Sequence, residues 1–394
     1  MQTSQVRRVC SKLLWRHQSA PQCAATIALV ALWPLAMLAV LPGYLYRYGR
    51  EVARESGRGL CEQAIDQIAL ILRLRLAPKH YYRLRLYSPA MRPKAGEFLL
   101  RNQIEGIAYQ LLQAGRPDRR QPLTNKVRFA GHCAANNLPH VPNLMAFKAG
   151  RPLLRGRTAQ NGFNDVDIFV KPVRGSRGGS AERWSNLGPR RYRSTGGREL
   201  DTAALLGHIA ELSRQKPVLV QPALRNHPAY RGFTAGALST MRVISWRSET
   251  GGFEVTDAIL RMPVARTAPV DNFHAGGIAA PIDIATGLLG QATTLDGGPE
   301  DSLLDRHPYT GAQIAGAAVP MWDEIMQLAL RAHRVFDAHV VIGWDIAVIE
   351  DGPCLIEGNI SPGVGTLQRA ANRPLGDRRF GQLLAHHLSP YLAS

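Results

Sequence analysis

The sequence predicts an α+β fold, and three observations carry that prediction. Apolar, partly β-branched residues at Ile342–Ile349 and Cys354–Ile356 flank a Glu-Asp-Gly-Pro turn, the pattern of a two-stranded hairpin. Leu238–Trp246 and Glu254–Arg261 predict successive strands of an antiparallel sheet. Pro320–His339 repeats apolar residues at helical spacing and predicts an amphipathic helix that leads into the hairpin. Strands and helices in this arrangement are typical of the α+β class.

The size and charge of the chain limit its organisation and its partners. At 394 residues it is too long for one compact core, so we expect two or three domains. A hydrophobic content of 45% and a charged content of 20% indicate a folded protein. The net charge of +18 favours anionic partners, although an arginine-rich composition alone would also produce it. Nucleic acid is not favoured, because neither zinc-finger spacing nor an aromatic-interleaved basic run is present.

The cysteines indicate a reducing compartment. Their number is odd, they are scattered, and no C-x-x-C pair occurs, so each thiol is expected to be a small buried or inert residue. They are Cys10, Cys23, Cys61, Cys133 and Cys354.

The N-terminal region predicts a membrane-associating segment. Residues 1–22 are basic without any acid, and Ala24–Leu41 then gives eighteen uncharged residues, the threshold length for a membrane span. Basic residues flank both ends, and Pro34 would break or kink a helix. The favoured interpretation is a re-entrant or interfacial hairpin with both ends in the cytoplasm. A true span and an apolar helix buried in the protein are the alternatives. A signal peptide is disfavoured by the lack of a convincing cleavage site.

A helical rhythm continues through Glu51–Leu76, followed by a helical preface that extends to residue 122. A basic patch in this region either lies on anionic lipid or is a solvated helix face. It consists of Arg73, Arg75, Lys79, Arg83, Arg85 and Arg92.

Oxygen-bearing side chains on the C-terminal hairpin predict a magnesium site. Glu357 and Asn359 are two residues apart on one strand and point the same way, and Asp345 on the partner strand can meet them. Two carboxylates and a carboxamide are the hard donors that Mg²⁺ takes alongside substrate phosphates. The alternative is an ordinary Asp-Gly hairpin that binds no metal.

A second candidate for anion binding follows the predicted strand Asp165–Lys171. Small residues from Pro172 to Ser180 leave backbone N–H groups free to approach an anion, and Lys171 adds a point charge beside them. The stretch is neither a Walker A sequence nor a dinucleotide-binding turn, so a flexible hairpin loop is the alternative. Another lysine, Lys126, follows Asn125 at the start of a predicted helix.

Arg242 and Arg261 alternate with apolar neighbours on two predicted strands, so each is expected to project into a polar cleft. For Arg242 the alternative is a charge on the exposed face of a strand.

Taken in this order, the motifs resemble the ATP-grasp superfamily: a lysine opening a helix, a V-K-P strand before a Gly/Ser loop, a strand ending in Gln, and D…E-x-N. More narrowly they resemble the sugar-transfer-associated ATP-grasp proteins, relatives of the α-L-glutamate ligases. The resemblance covers roughly residues 95–375. Its motifs are NKVRFA, FVKPVRGSRGGS, VQPALRNHP, STMRVI, HAGGIAA and IGWDIAVIEDGPCLIEGN.

The resemblance implies a role for each matching residue. Two α/β subdomains would clasp ATP, with the phosphates on Lys126 and Lys171 and adenine on the backbone of the hinge, where Gln221 replaces the Glu of many relatives. Arg242 and Arg261 would stabilise the transferred phosphoryl group or the substrate carboxylate, and His274 would lie near the γ-phosphate. The remaining nucleotide contacts would come from Gly175, Ser176, Gly178, Gly179, Ser180, Pro222, Ala223, Leu224 and Asn272, and the magnesium ligands would be Asp345, Glu357 and Asn359.

The activity that this implies is an ATP-dependent ligase that joins a carboxylate to an amine or thiol through an acylphosphate, in the modification of a polysaccharide or the cell envelope. The alternatives are a phosphotransferase and a non-catalytic nucleotide-binding subunit of a glycosyltransferase system. Removing Asp345 or Glu357 is expected to abolish turnover and leave the fold largely intact. The expected division is 1–60 for the membrane-associating segment, 61–122 for the preface, 123–375 for the ATP-grasp domain and 376–394 for a tail. The protein would be cytoplasmic, held at the inner membrane through residues 24–41.

Overall fold

The computed structural model describes residues 2–16, 20–113, 122–155, 163, 166–174, 181–264, 276–294 and 303–393. Within these ranges the strands form one sheet of seven strands and another of six, called here the first and the second sheet. Neighbouring strands in both sheets are antiparallel. The predicted α+β class is therefore confirmed.

The first sheet forms the smaller lobe. Its strands are β1 (Met145–Lys148), β2 (Arg151–Arg155), β3 (Ile168–Pro172), β4 (Glu182–Asn186), β5 (Arg191–Ser194), β6 (Glu199–Asp201) and β7 (Val218–Pro222). They lie in the order β2-β1-β7-β3-β4-β5-β6. One helix packs on this sheet through Leu205 and Ile209. The Asp201 side chain accepts a hydrogen bond from the Ala204 N–H and so caps the start of that helix.

The second sheet contains both predicted strands and the predicted hairpin. Its strands are β8 (Thr240–Arg247), β9 (Phe253–Met262), β10 (Ile278–Ile282), β11 (Thr293–Thr294), β12 (Val341–Ile349) and β13 (Gly352–Asn359). They lie in the order β11-β10-β9-β8-β12-β13. The position of β12 between β13 and β8 is important for the site, because it gives the hairpin a neighbour, β8, that the sequence alone did not identify.

Helices account for most of the rest of the described chain. They are α1 (Gln2–Arg16), α2 (Ala20–Tyr44), α3 (Arg50–Ser56), α4 (Leu60–Leu74), α5 (Pro78–Arg83), α6 (Arg101–Gln103), α7 (Tyr109–Gln113), α8 (Lys126–Ala135), α9 (Thr202–Gln215), α10 (Trp322–Val335), α11 (Val364–Ala371), α12 (Arg379–Leu388) and α13 (Pro390–Ala393). Single π-helical turns at Leu45–Gly49 and Ile104–Ala108 continue the helices beside them, and 3₁₀ turns occupy Arg92–Glu97 and Pro228–Phe233.

Helices cover both faces of the second sheet. On one face α10 packs through the apolar stripe that its spacing predicted, including Ile325, Leu328 and Ala332. On the other face lie α11, α12 and residues from α1. Because neither face meets water, β12 is buried along nearly its whole length. Apolar residues of α12 such as Phe380 are fully buried in this layer, so the C-terminal segment packs on the second sheet.

The N-terminal helices differ from the sequence prediction in one respect. Pro34 lies inside α2, which stays helical from Ala20 to Tyr44, so the apolar segment does not turn back on itself at that proline. The chain reverses instead at 57–59, after α3, and α4 then packs back against α2. Val6 and Val9 of α1 are buried against the helices on the second sheet.

Candidate active site

The three predicted metal ligands share one face of the β12–β13 hairpin. The register pairs Asp345 with Glu357 and Gly343 with Asn359. Cross-strand partners point to the same side of a sheet, so the two carboxylates and the carboxamide lie together. Asn359 Nδ2 is 3.4 Å from Glu357 Oε1. The turn that joins the strands has Gly352 at a φ of 101°, a conformation that glycine adopts without strain.

Two arginines hold the Asp345 carboxylate. Arg242 on β8 is its register partner, and Arg242 Nη2 donates to Asp345 Oδ2 at 3.0 Å. Arg261 Nη2 lies 3.1 Å from the same oxygen. Burial raises the pKa of Asp345, but the two guanidinium groups outweigh it and lower that pKa to about 2. The interpretation of Arg242 as an exposed strand charge is wrong, since its side chain is 17% exposed.

Lys126 approaches the hairpin from the start of α8. Its Nζ atom lies 3.3 Å from Glu357 Oε2. The position is fixed by Asn125, whose side chain accepts hydrogen bonds from the Val127 and Arg128 N–H groups and so caps the helix. The lysine therefore stands at the positive end of the helix dipole, where a cation is disfavoured unless an anion is nearby.

Lys171 faces the same charged cluster from the first sheet. It lies on β3, and burial lowers the pKa of its amino group to about 8. Glu357 and Asp345 act in the opposite direction and Lys126 in the same one, so the four groups interact electrostatically across the gap between the sheets. The nearby carboxylates thus do not fully offset the cost of burying the charged Lys171 ammonium group, and a further anion would stabilise that charge.

A cavity of about 130 Å³ opens between the two sheets beside this cluster. The first sheet contributes Lys171 and the segment after β7, and the second contributes Thr240 and Ile356. The full lining is Val141, Phe169, Lys171, Arg183, Gln221, Pro222, Ala223, Leu224, Leu238, Thr240 and Ile356. The walls are mainly apolar, with Lys171 and Arg183 as their charged groups. That combination suits a flat base with its phosphates directed toward the lysines.

Comparison with known proteins decides the family. The sequence model of the sugar-transfer associated ATP-grasp family matches residues 114–381, two thirds of the chain. The chain belongs to the sugar-transfer associated ATP-grasp family. The ATP-grasp fold that the motifs predicted is therefore confirmed. No curated protein matches the sequence.

Solved structures of three ligases are similar to the chain at low identity. D-alanyl-alanine synthetase A from Vibrio cholerae O1 biovar eltor is 14% identical, with a TM-score of 0.40 over 71% of this chain and 68% of that one. D-alanine–D-alanine ligase from Bacillus anthracis, complexed with ATP, is 10% identical, with a TM-score of 0.40 over 70% and 68%. L-amino acid ligase from Bacillus licheniformis is 11% identical, with a TM-score of 0.40 over 68% of this chain, which spans about half (48%) of that protein.

In this ATP-grasp chain the hinge residue Gln221 makes internal contacts. Its Nε2 atom donates to Val141 O at 3.3 Å and to Asn143 Oδ1 at 3.0 Å, and the residue is buried. The Ala223 N–H donates to Asp167 O at 2.8 Å. The Gln221 amide therefore joins residues 221–224 to the segment after α8.

The Gly/Ser loop after β3 and the segment that contains Asn272 and His274 lie outside the described residues, so the predicted roles of these residues in the site stay predictions. The residues concerned are Gly175, Ser176, Gly178, Gly179, Ser180, Asn272 and His274.

The donor set of the hairpin fits magnesium better than a transition metal. Within the described ranges, no three or more His, Cys, Asp or Glu side chains are grouped so that they could hold a metal ion such as zinc. The hairpin provides two carboxylates and one carboxamide, which leaves ligand positions to be filled by phosphate oxygens and water. Magnesium is bound in that way, through one or two carboxylates together with the substrate.

Sequence reasoning missed two contributors to this site, Arg183 and Thr240. Arg183 lines the cavity from β4, opposite Phe169 in the register. Thr240 accepts a hydrogen bond from Arg261 Nε at 3.0 Å and helps to orient that guanidinium. Asn125 positions Lys126, and its signal was readable, since Asn before a helix is a common N-cap. No local sequence pattern predicted that Arg183 and Thr240 contribute to the site, because their positions depend on which strands pair in the folded sheets.

Proposed function

We propose that this protein is an ATP-dependent carboxylate–amine ligase that works through an acylphosphate. The observation that carries the proposal is the convergence of Lys126, Lys171, Asp345 and Glu357 at the charged end of an otherwise apolar cavity between two sheets. A carboxylate cannot be displaced by an amine directly, because its leaving group would be oxide. Phosphorylation by ATP creates a phosphate leaving group, and such a transfer requires positive charge around the transferred oxygens and a site closed to water.

In this proposal the two lysines hold the nucleotide phosphates. Lys126 adds its charge to the positive end of α8, and Lys171 reaches the same point from β3. Asp345, Glu357 and Asn359 would hold magnesium, which when bound would supply positive charge to offset that of the nucleotide phosphates. The adenine would lie against Phe169 and the backbone of the hinge at 221–224.

Arg242 and Arg261 would bind the carboxylate substrate or the transferred phosphoryl group. Both guanidinium groups lie on Asp345. Their positive charges would attract an anion that enters the cleft beside them. The same charges would stabilise the negative charge that develops on the transferred phosphoryl oxygens.

Carbon–nitrogen bond formation and a sugar-linked substrate are the finer parts of the proposal. The family description supports an association with sugar transfer, and we infer a substrate in a polysaccharide or the cell envelope. Because the reaction uses ATP, residues 123–375 would act on the cytoplasmic side of a membrane. The segment at 24–41 would associate the protein with that membrane.

The experiment that tests this function is a product search with purified protein, ATP, Mg²⁺, sugar nucleotides and amino acids. Release of orthophosphate that requires both a carboxylate and an amine, with a product of the condensed mass, supports a ligase. A phosphorylated product that forms without the amine would instead identify a phosphotransferase. Nucleotide binding with no turnover across the panel would identify a regulatory subunit.

A further inference from the structure

The helix α4 buries two polar side chains and exposes several apolar ones. Its fully buried residues include two polar ones, Gln63 and Gln67, while Ile65, Ile68 and Leu72 are 66%, 39% and 59% exposed. These three apolar residues follow each other at spacings of three and four and so form one stripe along the helix. A helix on the surface of a protein in water normally shows the opposite arrangement.

The buried glutamines are held by specific hydrogen bonds. Gln63 Nε2 donates to Gly49 O at 2.9 Å and to Arg58 O at 2.8 Å, and Gln67 Nε2 donates to the Tyr82 hydroxyl at 3.2 Å. These bonds join α4 to the turn after α2 and to α5. The orientation of α4 is therefore fixed by its polar face, and the exposed apolar stripe is a consequence of that packing.

The neighbouring helix is exposed and apolar as well. Thr26–Ser56 is, by length and composition, apolar enough to cross a membrane, with a mean hydropathy of 2.0 and only 6% of its most apolar window buried. Ile27, Leu29 and Leu35 are 57%, 68% and 63% exposed. The alternative of an apolar helix buried in the protein is therefore wrong. Contiguous apolar surface of this kind marks a partner or a membrane.

The charges around this pair of helices select the partner. Six basic residues between 44 and 80 are exposed, against two exposed acids, Glu55 and Glu62. One acid is paired with Arg58 and the other contacts the Tyr87 hydroxyl. The exposed basic residues are Arg47, Arg50, Arg54, Arg73, Arg75 and Lys79. Apolar side chains flanked by this excess of exposed basic residues match the acyl chains and anionic headgroups at the boundary of a bilayer.

The arrangement of the helices excludes a simple span. Arg75 Nη1 donates to Val30 O at 2.7 Å, so an arginine lies beside the interior of α2. If α2 crossed the bilayer, Arg73 and Arg75 would enter the hydrocarbon, where a charged side chain is strongly unfavourable. In addition, α1, which precedes α2, packs on the helical layer of the second sheet.

We infer that α2 and α4 together lie in the plane of an anionic membrane surface, with the stripe Ile65, Ile68 and Leu72 inserted beside α2. The inference rests on the membrane association proposed above and deepens it, because it names a second inserted helix, an in-plane orientation and the class of lipid. It does not depend on the reaction that the ATP site performs.

Flotation of the full chain with lipid vesicles tests this inference. We expect binding to vesicles of equal parts phosphatidylglycerol and phosphatidylcholine and weak binding to phosphatidylcholine alone. Leu72→Gln should weaken binding about fivefold or more, because it removes one inserted apolar side chain. The matched control is Leu153→Gln, at a position 61% exposed on the edge strand β2, which should bind as the unmodified chain does. Equal thermal melting of the two variants in water checks that both fold.

The outcomes separate the two proposals. No binding of the unmodified chain to any vesicle would contradict membrane association as a whole. Binding that Leu72→Gln leaves unchanged, or equal binding to neutral lipid, would overturn the role of α4 or of anionic lipid and leave the association of α2 intact.

Orientation is tested in spheroplasts of an expressing bacterium, with one epitope fused to each end of the chain. In-plane binding predicts that both epitopes are protected from external protease. Digestion of the N-terminal epitope alone would indicate a span and would overturn the inference.

Discussion

The cleft between the sheets and the α2–α4 pair differ in which side chains they bury and which they expose. In the cleft, charged side chains are buried and lie against one another, as in the contact of Arg242 and Arg261 with Asp345. In the helix pair, polar amides are buried and apolar side chains are exposed, as in Gln63 and Ile65. Neither arrangement is the one expected of a surface designed for water alone.

The difference indicates what each region lacks. The cleft has more positive than negative charge around it and would be completed by a phosphate-bearing ligand. The helix pair has more apolar surface than water tolerates and would be completed by lipid. Substitutions that change charge should therefore act mainly in the cleft, and substitutions that change polarity should act mainly in the helix pair.

The largest effect on stability is expected for Asp345→Asn. It would remove the buried negative charge that lies against the partly buried Arg242 and Arg261, and breaking a buried ion pair destabilises a protein by about 3–5 kcal/mol. Urea unfolding monitored by circular dichroism measures the loss. The matched control is Glu199→Gln, because Glu199 also faces two arginines, Arg191 and Arg193, but at the surface. That control should unfold close to the unmodified chain, and equal losses for both would contradict the role assigned to burial.

The next largest effect is on turnover and is expected for Glu357→Gln. Glu357 is partly exposed and has one lysine partner, so the fold should tolerate the change. Loss of one magnesium ligand should reduce turnover by about 100-fold or more, a value typical for removal of an electrostatic group from an active site. Steady-state orthophosphate release measures it. Turnover within a few-fold of the unmodified enzyme would exclude Glu357 as a ligand.

Within α4 two neighbouring positions should respond in opposite ways. Gln63→Leu removes the donors for the Gly49 and Arg58 carbonyl groups and should destabilise the chain in water by about 1–3 kcal/mol. Ile65→Gln replaces an exposed apolar residue and should leave the free energy of unfolding almost unchanged. Urea unfolding of both variants in the absence of lipid makes the comparison. A larger loss for Ile65→Gln would mean that its side chain is packed in the protein.

A pH effect on ATP binding is expected from Lys171. Its pKa in the ligand-free protein is about 8, below the ordinary 10.5, because of burial. From pH 8 to 10.5 the folded state binds fewer protons than the unfolded state, so Lys171 contributes stability that rises with pH across that window. ATP affinity should fall in the same window, by up to about tenfold per pH unit, because the neutral amine does not attract phosphate.

Calorimetric titrations of ATP at pH 7, 8 and 9 measure this dependence. Lys171→Arg is the control, because a guanidinium stays charged throughout. The same slope in that variant would assign the effect to another group.

The smallest effect is expected for Asn125→Ala, which removes the cap of α8. Such caps contribute about 1 kcal/mol. Because the cap also fixes Lys126, the KM for ATP should rise by a few-fold while kcat stays within a factor of about two. Asp201→Ala removes the corresponding cap of α9, away from the cleft, and should lower stability without changing that KM. Equal changes in KM would argue against a positioning role for Asn125.

Local patterns were sufficient for the hairpin and for the start of α8. The Asp-Gly turn, the two-residue alternation of Glu357 and Asn359 and the Asn-Lys start of a helix each involve only a few neighbouring residues. Contacts between distant strands could not be predicted in that way. The pairing of Arg242 with Asp345 depends on β12 lying beside β8, which is a property of the whole sheet.

Contacts between distant parts of the chain also explain two further differences between the sequence predictions and the structure. The sequence predicted that the fold would survive the loss of Asp345, because nothing local indicated that two arginines would be buried against it. Periodicity predicted that α4 is helical but gave no reason to expect its apolar face outside. The direction is set by the hydrogen bonds of Gln63 and Gln67 to segments that precede and follow the helix.

The most direct test of the site is the effect of Mg²⁺ on ATP binding, measured by calorimetry for the unmodified chain and for Glu357→Gln. If the β12–β13 hairpin holds the metal against the nucleotide, Mg²⁺ should tighten ATP binding to the unmodified chain and have little effect on the variant. An equal gain in affinity for both proteins would contradict the assignment.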